Sequence, residues 1–114
     1  MSNVTELVEG LDAMLDHMRA DYAQWSDLGD DPNGTRARMT EEYCASLCYS
    51  MGKKYVKVTD GSSVKAFVVA CEDDKKFQYG DILKPAGWRT PARNFRRGNV
   101  LDRTFDRVRW TGAL

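Results

Sequence analysis

Residues 53–71 read Lys53-Lys54-Tyr55-Val56-Lys57-Val58-Thr59-Asp60-Gly61-Ser62-Ser63-Val64-Lys65-Ala66-Phe67-Val68-Val69-Ala70-Cys71. Upstream of this stretch apolar residues recur every three or four positions; inside it the period becomes two. Tyr55 to Thr59 reads as a strand, Asp60-Gly61-Ser62-Ser63 supplies turn residues, and Val64 to Cys71 is the antiparallel partner. A hairpin at mid-chain, with helical periodicity only before it, predicts an α+β fold.

Downstream, Glu72 to Lys76 is a second polar turn. Phe77-Gln78-Tyr79 and Ile82-Leu83-Lys84 are expected to form one interrupted strand, with Gly80-Asp81 as a kink or bulge and Pro85 at an edge position. Beyond Trp88 the chain turns irregular and arginine-rich before a short apolar segment around Val108 and Trp110.

Upstream, Thr35 to Met51 reads as a helix with Met39, Tyr43, Leu47, Cys48 and Met51 on its apolar face and Gly52 as its stop. Residues 26–34 hold two glycines and a proline and read as a loop. Before them Val4, Val8, Leu11, Leu15, Met18, Tyr22 and Trp25 follow a heptad seam, widened by Leu7 and Met14. Ser2 or Thr5 can cap this helix, and the seam either packs on the protein's own sheet or pairs with a second copy, a homodimer through the 4–25 helix. The expected architecture is a single domain, 1–114: two N-terminal helices packed on a three- to four-stranded antiparallel β-meander.

A net charge of zero conceals a division. Residues 1–52 carry three basic side chains against ten acidic, a balance of −7; residues 53–114 carry fourteen against seven, +7. An acidic helical half thus precedes a basic β-rich half, as expected for a charged partner or for two halves that attract each other. The longest apolar run, Ala66 to Cys71, is far short of the roughly 20 residues of a membrane span. With no basic-then-apolar leader at the N-terminus, the expected location is the cytoplasm, without membrane association.

The chain lacks a Walker phosphate loop, a dinucleotide-binding glycine pattern, a nucleophile-elbow serine and a paired-histidine metal motif, so no enzyme is expected. His17, among Asp16 and Asp21, reads as a solvated helical histidine; it and Cys48 are the least implausible catalytic centres. Cys44, Cys48 and Cys71 could join His17 in a four-ligand zinc site. They come from separate segments, however, and read instead as free thiols, with no metal and no cofactor.

The segment Gly80 to Asn99, GDILKPAGWRTPARNFRRGN, carries the candidate binding residues Lys84, Trp88, Arg89, Arg93, Phe95, Arg96, Arg97 and Asn99. Guanidinium forks hold phosphates or carboxylates, and aromatic faces stack on bases or anchor protein interfaces. Trp88 reads equally as a core residue where the loop folds back on the sheet, and some arginines as partners of the acidic helices.

This segment resembles a family of small uncharacterised tailed-bacteriophage proteins. The resemblance is carried by Gly80-Asp81, Lys84 with Ala86, Trp88, Pro91-Ala92 and Arg97-Gly98-Asn99, with departures at Pro85 and Gly87. It extends over about residues 53–112, ending on Trp110-Thr111-Gly112, and implies no assigned activity. It implies a phage-encoded accessory protein in the host cytoplasm that binds and modulates a host polymerase, nuclease or defence complex. The alternatives are a nucleic-acid-binding protein using residues 84–109 and a virion protein that oligomerises through the first helix.

Overall fold

A computed structural model describes residues 4–26, 35–61 and 63–113. Of the loop expected at 26–34, Ser26 ends the first helix and residues 27–34 lie outside these residues, as do the cap at Ser2, Ser62 of the central turn and the side chain of Trp25.

Helix α1 (Val4–Ser26) is long and helix α2 (Thr35–Ser46) short. Five strands follow as one antiparallel meander: β1 (Leu47–Met51), β2 (Tyr55–Asp60), β3 (Ser63–Val69), β4 (Asp81–Leu83) and β5 (Gly98–Asn99). A separate two-stranded ribbon, β6 (Val108–Arg109) with β7 (Gly112–Ala113), ends the described chain. The α+β class is as expected, but with one main helix and one small one, and a wider sheet.

The buried face of α1 is Leu7, Leu11, Met14, Leu15, Met18 and Tyr22, while Val4 is 57% exposed. A straight helix turns once every 3.6 residues and drifts off a heptad, which brings Leu7 and Met14 to the centre of the stripe and rotates Val4 out. This stripe packs with Val56, Val58, Ala66, Val68, Ile82, Val100 and Val108, so the seam belongs to the chain's own core. Gly10 sits where a Cβ would lie 2.6 Å from the Val100 carbonyl oxygen; only glycine lets α1 cross the turn after β5 so closely.

The second helix ends at Ser46, five residues before its expected end at Met51, and Leu47 to Met51 becomes β1. Leu47 and Met51 lie one helical turn apart, yet Leu47, Tyr49 and Met51 also alternate as a strand does. Pairing with β2 and burial of Leu47 choose the second pattern. Gly52 therefore closes a hairpin rather than a helix: its N–H donates to the Tyr55 carbonyl at 3.0 Å, with Lys53-Lys54 as the two-residue loop. The acidic half is helical only to residue 46, and Cys44 and Cys48 no longer stack on one helix.

The interrupted strand expected at 77–84 is only Asp81–Leu83. The segment before it turns because Asp74 accepts the N–H groups of Lys76 and Phe77, and Asp81 accepts that of Gln78. Helix α2 is held through Tyr43, stacked on Tyr22 at 4.4 Å, edge-on to Trp110, and donating its hydroxyl to the Trp110 carbonyl. Burial, then Asp60, pushes the Tyr43 phenol well above its ordinary range.

The sheet has two cores. Helices cover one face; on the other, Phe67, Val69, Phe77 and Leu83 form a smaller cluster with Tyr55, Val64 and Cys71. The segment after β3 folds back over this second face and brings the arginine-rich stretch with it.

Candidate functional site

Beyond β4 the chain makes a narrow arm. Ala92 N–H donates to the Lys84 carbonyl, Pro85 bridges Pro91, and Ala86 and Gly87 N–H both reach the Thr90 carbonyl. The tip is Gly87-Trp88-Arg89. Trp88 is 47% exposed, and the Lys57 ammonium lies 4.3 Å from its ring centroid. Lys57 faces Ser50 on β1 and Phe67 on β3 in register, so this contact is on the face opposite the helices.

A shallow groove of about 290 Å³ opens there, lined by Met51, Lys53, Lys54, Tyr55, Lys57 and Arg89 among others, and no acidic side chain among the described residues contributes to it. A neighbouring groove of about 510 Å³ shares Lys53 and Lys54 but also includes Asp73 and Asp74. The first is thus a concentrated patch of cations with a tyrosine in its floor, a half-exposed methionine at its rim and a tryptophan beside it.

The eight candidate residues do not converge on one site. Lys84, Trp88 and Arg89 stay on the surface. Arg93 makes a fork with Asp74, 2.9 Å on each arm, and also donates to the Tyr55 hydroxyl. The Asp74 side chain is only 1% exposed. The Arg93 hydrogen bonds, then the two backbone N–H groups, hold its carboxyl far below the usual range, and the same pairing raises Arg93.

Asn99 and Asp81 form a buried hub. Asn99 Nδ2 donates to Asp81 Oδ1 and to the Tyr79 carbonyl, while its Oδ1 accepts the Leu101 and Asp102 N–H groups. Arg96 reaches the same Asp81 oxygen at 3.2 Å from the surface. Arg97 is buried over the Phe95 ring at 3.8 Å and donates to Asn94; among the described residues its Nε has no hydrogen-bond partner. Burial, then Arg107, lowers its pKa. Phe95, 46% exposed, lies with Arg96 in another groove, beside Lys76 and Asn94.

Arg93 and Asn99 therefore spend polar groups on partners within the chain, and Arg97 is buried. The groove draws instead on Met51, Lys53, Lys54 and Lys57, absent from the sequence-based set. Strand alternation held the signal: with Val56 and Val58 in the core, Tyr55 and Lys57 must share the other face.

His17 is half-buried rather than solvated, its Nε2 2.9 Å from the Val108 carbonyl and its ring 5.3 Å from Phe105. Cys48 Sγ lies 3.6 Å from the Thr59 hydroxyl. Burial, then a hydrogen bond with Asp73, raises the Cys71 pKa, which keeps that thiol protonated. Among the described residues no group of three or more His, Cys, Asp or Glu side chains is placed to hold a metal ion, and no helix is long and apolar enough to cross a membrane. No family model, curated protein or solved structure matches the chain.

Proposed function

We propose that this chain is a non-enzymatic accessory protein, encoded by a tailed bacteriophage, that binds and modulates a host protein. The phage origin rests on the resemblance of residues 53–112 and above all of 80–99. The observation that carries the binding role is the cationic groove at the β1–β2 hairpin, with Met51 and Trp88 exposed at its border. Exposed apolar and aromatic anchors ringed by cations fit an acidic protein surface, where the anchors supply affinity and the charges rate and register.

A second reading, nucleic-acid binding, draws on the same exposed Trp88 beside Lys57 and Arg89. The acidic first half weighs against it by repelling a polyanion.

Immobilised protein exposed to host lysate at low and moderate salt tests both. A saturable protein partner is expected, retained by the natural chain and lost by Lys57→Glu/Arg89→Glu. Nothing saturable at either salt would sink the proposal. Material released by nuclease, with binding that falls steeply as salt rises, would replace it with the second reading.

A further inference from the structure

The two edges of the main sheet are treated differently. At β5 the strand is two residues long and its outer side is closed by the Asn99–Thr104 bridge. At β1 the strand runs five residues, Leu-Cys-Tyr-Ser-Met, with no charge and no proline. Charges, prolines and covering loops are how proteins blunt an edge; an edge without them is a template for another strand.

The ladder shows which groups point outward. Gly52 and Tyr55 are a hydrogen-bonded pair, so in an antiparallel hairpin Met51 and Val56 are not, Ser50 and Lys57 are, and the alternation continues. The outward positions are Leu47, Tyr49 and Met51. The Leu47 carbonyl is occupied by Arg19 Nη2 at 3.2 Å. The backbone N–H and C=O of Tyr49 and Met51 have no partner among the described residues outside the strand.

Charge is polarised along this edge. The Met51 end runs into Lys53-Lys54, with Lys57 and Arg89 beside it. The Leu47 end holds one cation, Arg19, already paired with Asp16 at 3.0 Å, and two further carboxylates: Asp60, which Ser46 Oγ contacts, and Asp12 near the Tyr49 hydroxyl. An incoming segment must therefore be acidic at the end that lies over the hairpin loop. For a strand antiparallel to β1, as throughout this sheet, that is its N-terminal end.

We infer that β1 accepts an extended peptide segment of the partner as a sixth, antiparallel strand, hydrogen-bonded to Tyr49 and Met51 and led by acidic residues that meet Lys53, Lys54, Lys57 and Arg89. This deepens the binding role proposed above and rests on it. Backbone pairing supplies affinity, and the basic end supplies direction and specificity.

The probe is a capped, fluorescein-labelled peptide, Asp-Glu-Val-Thr-Val-Thr-Val, followed by anisotropy. The natural chain binds it, and a peptide with both acids replaced by lysine binds about ten-fold more weakly. Met51→Pro removes an outward N–H without touching the β1–β2 ladder and weakens the acidic peptide about ten-fold, the loss of one or two hydrogen bonds. Lys53→Glu/Lys54→Glu weakens it by a similar factor. If the lysine variant weakens binding and Met51→Pro does not, strand addition is wrong while the basic face still binds. Failure of the natural chain to bind the peptide, tighter binding of a ten-residue oligo-dT, or a dimer that Met51→Pro converts to monomer also overturns it. Should Met51→Pro not fold, amide exchange in the natural chain decides: slowing at Tyr49 and Met51 on peptide addition supports strand pairing, and unchanged exchange refutes it.

Discussion

Asp74 and Arg93 show how a surface-looking sequence becomes internal wiring. Asp74 lies in a polar turn that reads as solvated, yet its side chain is 1% exposed beneath Arg93. Its carboxyl titrates below the unfolded value of about 3.9, so the unfolded chain takes up the proton first as pH falls. The pair's contribution is complete above about pH 4 to 5 and is lost as pH drops toward the folded pKa. Asp74→Asn is expected to lower the Tm by about 5 °C at pH 7 and to flatten the acid limb of stability. Thermal melts of both proteins between neutral pH and pH 2 check this, and parallel acid limbs would count against the pair. The same lesson applies to residues 80–99. Gly80 has φ +88° and Gly98 φ +151°, where a Cβ would lie 2.0 Å from the Thr104 carbonyl oxygen. With Asp81 and Asn99, which follow these glycines and pair as a buried hub, these motif residues hold the turn that aims the arm, and Lys84, Trp88 and Arg89 remain outside.

At the scale of elements, α1 was the most legible and β1 the least. A stripe sustained over 23 residues has one helical solution, and only the angular centre of the stripe needed the structure. Leu11→Ala, at its middle and fully buried, should cost about 2–5 kcal/mol, whereas Val4→Ala should change stability by less than about 0.5 kcal/mol. Urea titrations measure both; equal effects would mean that the seam, and not the wider face, is the contact. β1 is ambiguous because its apolar residues satisfy both periods over a run too short to separate them. A neighbouring strand with a free edge settles the choice, and that neighbour lies beyond a hairpin loop of two lysines. Reading Leu47 to Met51 as helix also hid the sheet edge and half of the groove.

For the whole molecule, the charge division does not close on itself through ion pairs of the arginine segment among the described residues. Arg93–Asp74 and Arg96–Asp81 are pairs within the basic half, and Arg19–Asp16 within the acidic one. The halves are joined by the shared core and by side chains that reach across to backbone: His17 to Val108, Tyr43 to Trp110, Asp21 to the Trp110 N–H. On the basic face Trp88 is 47% exposed beside Lys57 and reports on it. In a Trp25→Phe/Trp110→Phe background, iodide should quench Trp88 more efficiently than caesium, and Lys57→Glu should reduce iodide quenching about two-fold. Equal quenching by both ions would show that the groove's field does not reach the ring. By itself the sequence determined the α+β class, the long helix, the central hairpin and the separation of charge, because each follows from periodicity, turn chemistry or counting within a continuous stretch. Tertiary structure alone decided that β1 is a strand, that Arg97 and Asn99 are buried and Arg93 is paired with Asp74, and that Lys53, Lys54 and Lys57 share a face with Trp88 and Arg89. Those outcomes depend on which distant segments become neighbours, and burial then assigns each polar group either a partner or the solvent.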